Sequence, residues 1–292
     1  MSWVNALVQG VFLGGLYALL ACGLSLMFGV MRIINLAHCD IAILGAFLVW
    51  TVVTQARVSP FVALLPVLPV MLAFGYVLQR TVLARSLRSG ALTPLLTTFG
   101  LAVVLQNAML QIFSPDVRSL GASAGFISTG SWRLTSQLSV PYLGVLVLAV
   151  AVAVLGGLQL TLRRTGFGRE MRATAQDPDT AGLVGVPASS VYARATAIAV
   201  ATATLAGAFL ALHSTFDASS GPTLLIFAFE AVVIGGLGSL WGTLIGGIVL
   251  GIAQTIGAMI DPQYSILAGH IVVLAILASP RGRFVATRSA HA

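Results

Sequence analysis

Residues 134–162 read LTSQLSVPYLGVLVLAVAVAVLGGLQLTL, and Arg163-Arg164 follows directly. A membrane-spanning helix needs about 20 apolar residues, and this charge-free run is long enough. Basic residues at its end mark the level where a helix leaves the hydrocarbon. The same pattern recurs along the chain. Acids and arginines bound seven further charge-free runs, at 1–31, 41–56, 58–79, 89–115, 195–216, 231–260 and 262–280. A shorter one, 218–229, ends at Glu230.

Composition agrees. The 292 residues are 58% hydrophobic and 8% charged, whereas a soluble domain carries about 25% charge. That excludes a soluble enzyme, a disordered chain and a secreted disulfide scaffold. All 15 basic residues are Arg. Without Lys there is no Walker A phosphate loop and no Schiff-base chemistry. The net charge of +7 is spread in small groups between apolar runs, as in cytoplasmic loops. A nucleic-acid surface would gather it on one soluble face. The two cysteines, Cys22 and Cys39, are too few for a disulfide framework or a zinc cluster. The N-terminus lacks a basic n-region, and its apolar stretch is too long for a signal peptide. It reads as a retained first helix.

The fold expected is therefore all-α: one polytopic transmembrane bundle over 1–292, of eight or nine helices, some broken or re-entrant. Loops 32–40, 80–88 and 163–194 hold nine arginines, against three in the alternate loops. The positive-inside rule puts the first set in the cytoplasm and the N-terminus outside. Arg281, Arg283 and Arg288 place the tail inside as well, so eight crossings leave it on the wrong side. An extra short helix over Pro222–Gly236, broken at Gly235-Gly236-Leu237-Gly238-Ser239, resolves this. The segment 114–138 is the one sizeable extracytoplasmic loop. Gly238, Gly242 and Gly246 repeat at four-residue spacing, a small-xxx-small seam for close helix packing. Either another helix of the chain or a second subunit could occupy it.

Three constellations could carry function. In loop 163–194, Asp177 suits an N-cap, Pro178 the first helical position and Gly185 a left-handed C-cap. They frame a helix of about two turns, too short to be stable alone. Arg32-Ile33-Ile34-Asn35-Leu36-Ala37-His38-Cys39-Asp40 puts polar groups between apolar runs. Asn35 and His38 either line a pathway or satisfy a broken helix. Glu230 is an intramembrane acid whose roles stay open: a packing residue, a partner for an Arg, or a pathway lining. His213 and His270 read as lone histidines near helix ends. Gly23-Leu24-Ser25 lacks the following Gly and the His partner of a serine hydrolase.

Gly15-Leu16-Tyr17-Ala18-Leu19 through Gly23-Leu24-Ser25-Leu26-Met27-Phe28-Gly29-Val30-Met31-Arg32-Ile33-Ile34-Asn35-Leu36-Ala37-His38 resembles the opening signature of the branched-chain amino acid ABC-transporter permeases. Further stretches resemble the same family in order: Thr93 to Gly100, Arg172-Ala173 through Gly185, Ala231 to Gly242, and Pro280-Arg281-Gly282. The resemblance covers nearly the whole chain. One departure is Cys39, where the family usually has Gly.

The resemblance implies a permease subunit in a bacterial inner membrane, with no catalytic, cofactor or metal site of its own. ATP would be bound by two cytoplasmic ATPase subunits. A second homologous permease, or a second copy, would complete the pore, and an extracytoplasmic binding protein would deliver substrate. It implies that Arg169, Arg172, Ala173, Asp177, Ala181, Gly182 and Gly185 form an ATPase-coupling segment. It leaves the substrate open among branched-chain and other amino acids, amides and urea. The rival reading is an ion-coupled secondary transporter with Glu230 or Asp40 as proton carrier.

Overall fold

The computed structural model describes residues 3–87, 90, 92–135 and 138–279. The Pro280-Arg281-Gly282 motif and the tail arginines lie outside them. Among the described residues, seven helices are long and apolar enough to cross a membrane: α1 Trp3–Met31, α2 His38–Ala56, α3 Pro60–Ser86, α4 Thr93–Phe113, α5 Tyr142–Arg164, α8 Ala188–His213 and α10 Leu240–Ile260. Two shorter apolar helices join them, α9 Gly221–Gly235 and α11 Tyr264–Ala278. Between α5 and α8 lie two polar helices, α6 Gly166–Gln176 and α7 Pro178–Leu183.

Local chemistry sets the boundaries. Ser59, Thr165 and Ser239 each accept a backbone N–H from the first turn of the helix they precede, satisfying donors the helix cannot use. Gly236, with φ of 91°, ends α9, as the glycine run predicts. α9 carries Glu230 and closely matches the short helix expected over Pro222–Gly236. Two expectations are corrected. Run 134–162 is not one span: Leu138–Pro141 pairs with Ser131–Thr135 as a two-stranded hairpin, and α5 starts only at Tyr142. Run 58–79 is too short, because α3 continues past Arg80 through a π-turn at Gln79–Leu83. There the Gln79 side-chain oxygen accepts the Thr196 hydroxyl of α8 at 2.7 Å.

The packing repeats itself. α1 lies along α10, and α8 lies along α3; α2 packs on α3 and α4, and α9 on α10 and α11. α1 begins beside the hairpin, where Gln9 donates to the Ser139 carbonyl at 3.0 Å. α8 begins at the opposite end, where Arg194 meets Glu170 of α6 at 2.7 Å. The quartets α1–α4 and α8–α11 thus run in opposite senses, an arrangement in which helix breaks face each other near mid-bundle.

Those breaks are residues 32–37, between α1 and α2, and 214–220, between α8 and α9. Each is held by the same turn. Asn35 Oδ1 accepts the Ala37 amide at 3.0 Å, and Asp217 Oδ1 accepts the Ser219 amide at 2.7 Å. An Asx side chain is suited to this because it mimics a backbone turn. The returning segments bring the start of α2 against the middle of α1, with His38 Nε2 3.0 Å from the Leu20 carbonyl oxygen. Run 41–56 is short for this reason: part of that crossing is not helix.

Close approach depends on glycine at the α1–α10 seam. A Cβ on Gly14 would strike the backbone of Gly247 and Ile248, and one on Gly251 the backbone of Gly10 and Gly14. Gly242 and Gly246 face the backbone of α9 at Gly235 and Ala231. Both are therefore occupied within the subunit. Gly238 is not part of that helical stripe. It precedes α10 in a turn with φ of 81° and abuts Gly29 at the end of α1.

Candidate translocation and coupling sites

Asn35 and His38 are fully buried. The Asn35 amide faces the Met27 sulfur at 3.8 Å, and His38 Nδ1 has no partner. A Cβ on Gly23 would collide with the His38 ring and the Ala199 carbonyl, so α1 and α8 enclose this imidazole. Asp40, on the first turn of α2, is buried and accepts Gln106 Nε2 of α4 at 2.9 Å. The N-terminus of α9 meets it, since a Cβ on Gly221 would overlap the Asp40 carboxylate. Two helix N-termini, each with partial positive charge, converge on that carboxylate.

Glu230 belongs to a second cluster. Its Oε1 is hydrogen-bonded to His270 Nδ1 on α11, while Oε2 is buried without a partner. Beside it, Tyr17 of α1 donates to Gln254 Oε1 of α10 at 2.6 Å and packs its ring on Phe227, centroids 5.3 Å apart. Asn35 and His38 are thus brought together, while the hydrogen bond of Glu230 goes to His270. His270 is not a lone histidine at a helix end, as the sequence suggested, but the partner of Glu230 within α11. No spacing rule reveals a pair 40 positions apart.

The pairs are alike in kind. In each quartet one acid on the helix after the break is bonded to a polar side chain on the outermost helix: Asp40 to Gln106, and Glu230 to His270. In an apolar medium an unpaired polar group is expensive, so these bonds fix α4 and α11 against the core. Both outer helices present large apolar side chains outward, including Leu96, Phe99 and Val104 on α4 and Ile271 and Leu274 on α11.

The coupling candidates form a separate unit. Asp177 Oδ1 accepts the Asp179 and Thr180 amides at 3.0 and 3.1 Å, and Oδ2 accepts the Thr180 hydroxyl at 2.5 Å. These bonds hold the Asp177 carboxyl below the usual carboxylate range, the Thr180 hydroxyl first and its amide next. Pro178 opens α7. The Gly185 amide reaches the Gly182 carbonyl at 3.1 Å and the Val186 amide the Ala181 carbonyl at 3.0 Å. With φ of 87° at Gly185, this is a Schellman ending.

Arg169, Arg172, Ala173 and Gly182 are exposed, whereas Ala181 is buried against the bundle. Sequence reasoning missed the pair beyond them: Leu183 is 87% exposed and Val184 74%. Two adjacent large apolar residues at the tip of a polar loop were the available signal. Arg194 ties α8 to the loop through Glu170 and by lying 4.9 Å over the Phe167 ring.

Comparison with known proteins fits this architecture. The model of the family described as branched-chain amino acid transport system / permease component matches residues 6–286. A high-affinity branched-chain amino acid transport system permease protein of Pseudomonas aeruginosa, BraD, is 30% identical, covering 96% of this chain and 95% of its own. An inner membrane ABC transporter permease protein of Escherichia coli, YjfF, is 26% identical over 86% of this chain and 72% of its own. A fructose import permease protein of Rhizobium meliloti, FrcC, is 27% identical over 63% of this chain and 54% of its own. No solved structure matches. A match over nearly the whole chain, carried by a polytopic bundle with breaks in both quartets, places this protein in the branched-chain amino acid transport permease family.

Proposed function

We propose that this permease is half of a membrane pore that imports branched-chain amino acids at the expense of ATP hydrolysed by partner subunits. The observation that carries the reading is α7. It is a six-residue helix, too short to hold itself together, yet capped at both ends and ending in exposed Leu183 and Val184. Such a knob suits a groove on a soluble protein, and ABC ATPases supply one. Arginine-bearing loops put α6 and α7 in the cytoplasm. The hairpin and residues 114–141 then face the binding protein outside.

A second permease, of this chain or a homologue, supplies the other wall of the pore. Closure of the ATPases would push α7 and, through Glu170 and Arg194, tilt α8. α8 encloses His38 and leads into the 214–220 break, so the push reaches the point where both breaks meet. We assign the pathway to this region, near Asn35, His38 and Asp40, with Glu230 bracing α11.

The test is uptake of radiolabelled leucine into vesicles holding the chain with its co-purifying ATPases, second permease and binding protein. ATP-dependent uptake that survives an uncoupler is expected. Uptake that needs no ATP and collapses with the uncoupler would replace this reading with an ion-coupled secondary transporter.

A further inference from the structure

A crevice of about 410 Å³ opens at the arginine-bearing end of the bundle, among α1, α5, α6 and the turn before α10. It is apart from both acid pairs. Its floor is Ser25 of α1, fully buried, whose hydroxyl has no partner. Buried polar groups are nearly always bonded, so an unbonded hydroxyl facing a cavity marks a place for a ligand. Gln159, Arg163 and Arg172 supply further donors around the space. Arg172 also bonds the Leu162 carbonyl, which ties α6 to the end of α5 beside the crevice. No acid lines the crevice; the remaining side chains are apolar, among them Leu26, Val30, Met171 and Leu240.

This chemistry selects an anion joined to an apolar body. Position narrows it further. Gln159, Leu162 and Arg163 fall on one face of α5 just where that helix leaves the hydrocarbon, and Leu160 beside them is exposed. A phosphate group entering from the leaflet would meet the two guanidiniums and the Ser25 hydroxyl while its acyl chains stayed in the bilayer. Arginine is suited to such phosphate contacts because its planar fork bonds two oxygens at once.

We propose that this crevice binds the phosphate of an anionic phospholipid, wedging α6 against α1. Because α6 leads into the proposed coupling helix, occupancy would stiffen the linkage that transmits the ATPase stroke. The site itself does not depend on the transport reading.

The test is native mass spectrometry of the intact permease from nanodiscs containing phosphatidylglycerol, with phosphatidylcholine nanodiscs as reference. Wild type should retain phosphatidylglycerol selectively. Arg163→Gln and Arg172→Gln should each weaken retention roughly fivefold, the worth of one arginine at an anionic surface. Ser25→Ala should also lower it, whereas Arg57→Gln, at the opposite end of the bundle, should leave it unchanged. Thermal melting of each variant separates misfolding from lost binding. Equal loss in the Arg57→Gln protein, or no loss in the three site variants, overturns the proposal. Release of the lipid by millimolar inorganic phosphate supports an anion pocket. Binding of phosphate in protein that never retains lipid would overturn the lipid assignment.

Discussion

Gly221 and Asp40 touch across the middle of the bundle, the first residue of α9 against the first turn of α2, with no room between them for a methyl group. Here the two breaks meet, and here a side chain is least tolerable. Gly221→Ala must displace a carboxylate that is also held by Gln106. Overpacking of this kind costs about 1–3 kcal/mol. The variant should melt several degrees lower in detergent and lose most uptake, while Gly182→Ala, which meets nothing within 4 Å, should keep its melting temperature. Equal melting of the two would contradict the contact.

Glu230 and His270 should behave as a unit. Removing one partner of a buried hydrogen-bonded pair leaves the other unsatisfied, at about 1–3 kcal/mol when the site is dry. His270 is partly exposed, so the loss from His270→Ala belongs below that range. The double variant Glu230→Gln, His270→Ala should be more stable than the sum of the single changes allows. A double-mutant cycle on thermal stability reads the coupling directly, and strict additivity would disprove it.

Leu183→Asp should leave the bundle intact and abolish ATP-driven uptake, because Leu183 touches solvent rather than the core. Co-purification of the ATPase with this variant checks the point, and undiminished capture would exclude α7 as the docking element. Ala181→Arg is a poorer probe. Ala181 is buried, so a charge there would unfold the loop before it tested any partner.

The cap on α7 has a predictable pH response. The Asp177 pKa is lowered in the folded chain, so its contribution is fully present above the ordinary Asp value of about 3.9. It is lost only as pH falls through the lowered folded value. Coupling should therefore be flat from about pH 5 to 8 as far as this cap is concerned. Asp177→Asn, a good neutral cap, should keep uptake near the wild-type level, and Asp177→Ala should reduce it. If the Asn and Ala variants are equally impaired, the cap is not what positions α7.

Both cysteines are sealed inside the core, Cys22 on α1 and Cys39 on α2. A membrane-permeable maleimide should label neither until the protein is denatured. Labelling of folded protein, followed by intact mass, would show that the core around α1 and α2 opens. Cys39 has ordinary helical backbone as the second residue of α2, so nothing in the local conformation requires a glycine at that position.

Charge-free runs located most crossings because burying a charge in hydrocarbon is costly. Glu230 interrupts a charge-free run yet lies within α9, as the helix expected over Pro222–Gly236 requires, and the partner that makes this tolerable, His270, was not legible. Run 134–162 misled: lack of charge does not make a helix, and Pro141 with the paired strands delays α5. The Asp177–Gly185 punctuation was legible because caps are local. The acid pairs and the contact of Gly221 with Asp40 were not, since each joins residues 40 to 181 positions apart.

The long seam between α1 and α10 governs how the chain can be made. α1 leaves the ribosome long before α10, yet its glycine face is matched by that later helix, which begins at Leu240. At about 5–20 residues per second, roughly ten to forty seconds of synthesis pass before that partner exists. During that interval a helix built for close contact on several sides stands in lipid without its mate. Chains arrested before Leu240 should therefore be held by insertion factors or cleared by membrane proteases. Pulse-chase of a truncation at Gly238 would show it as rapid turnover, while the full chain persists.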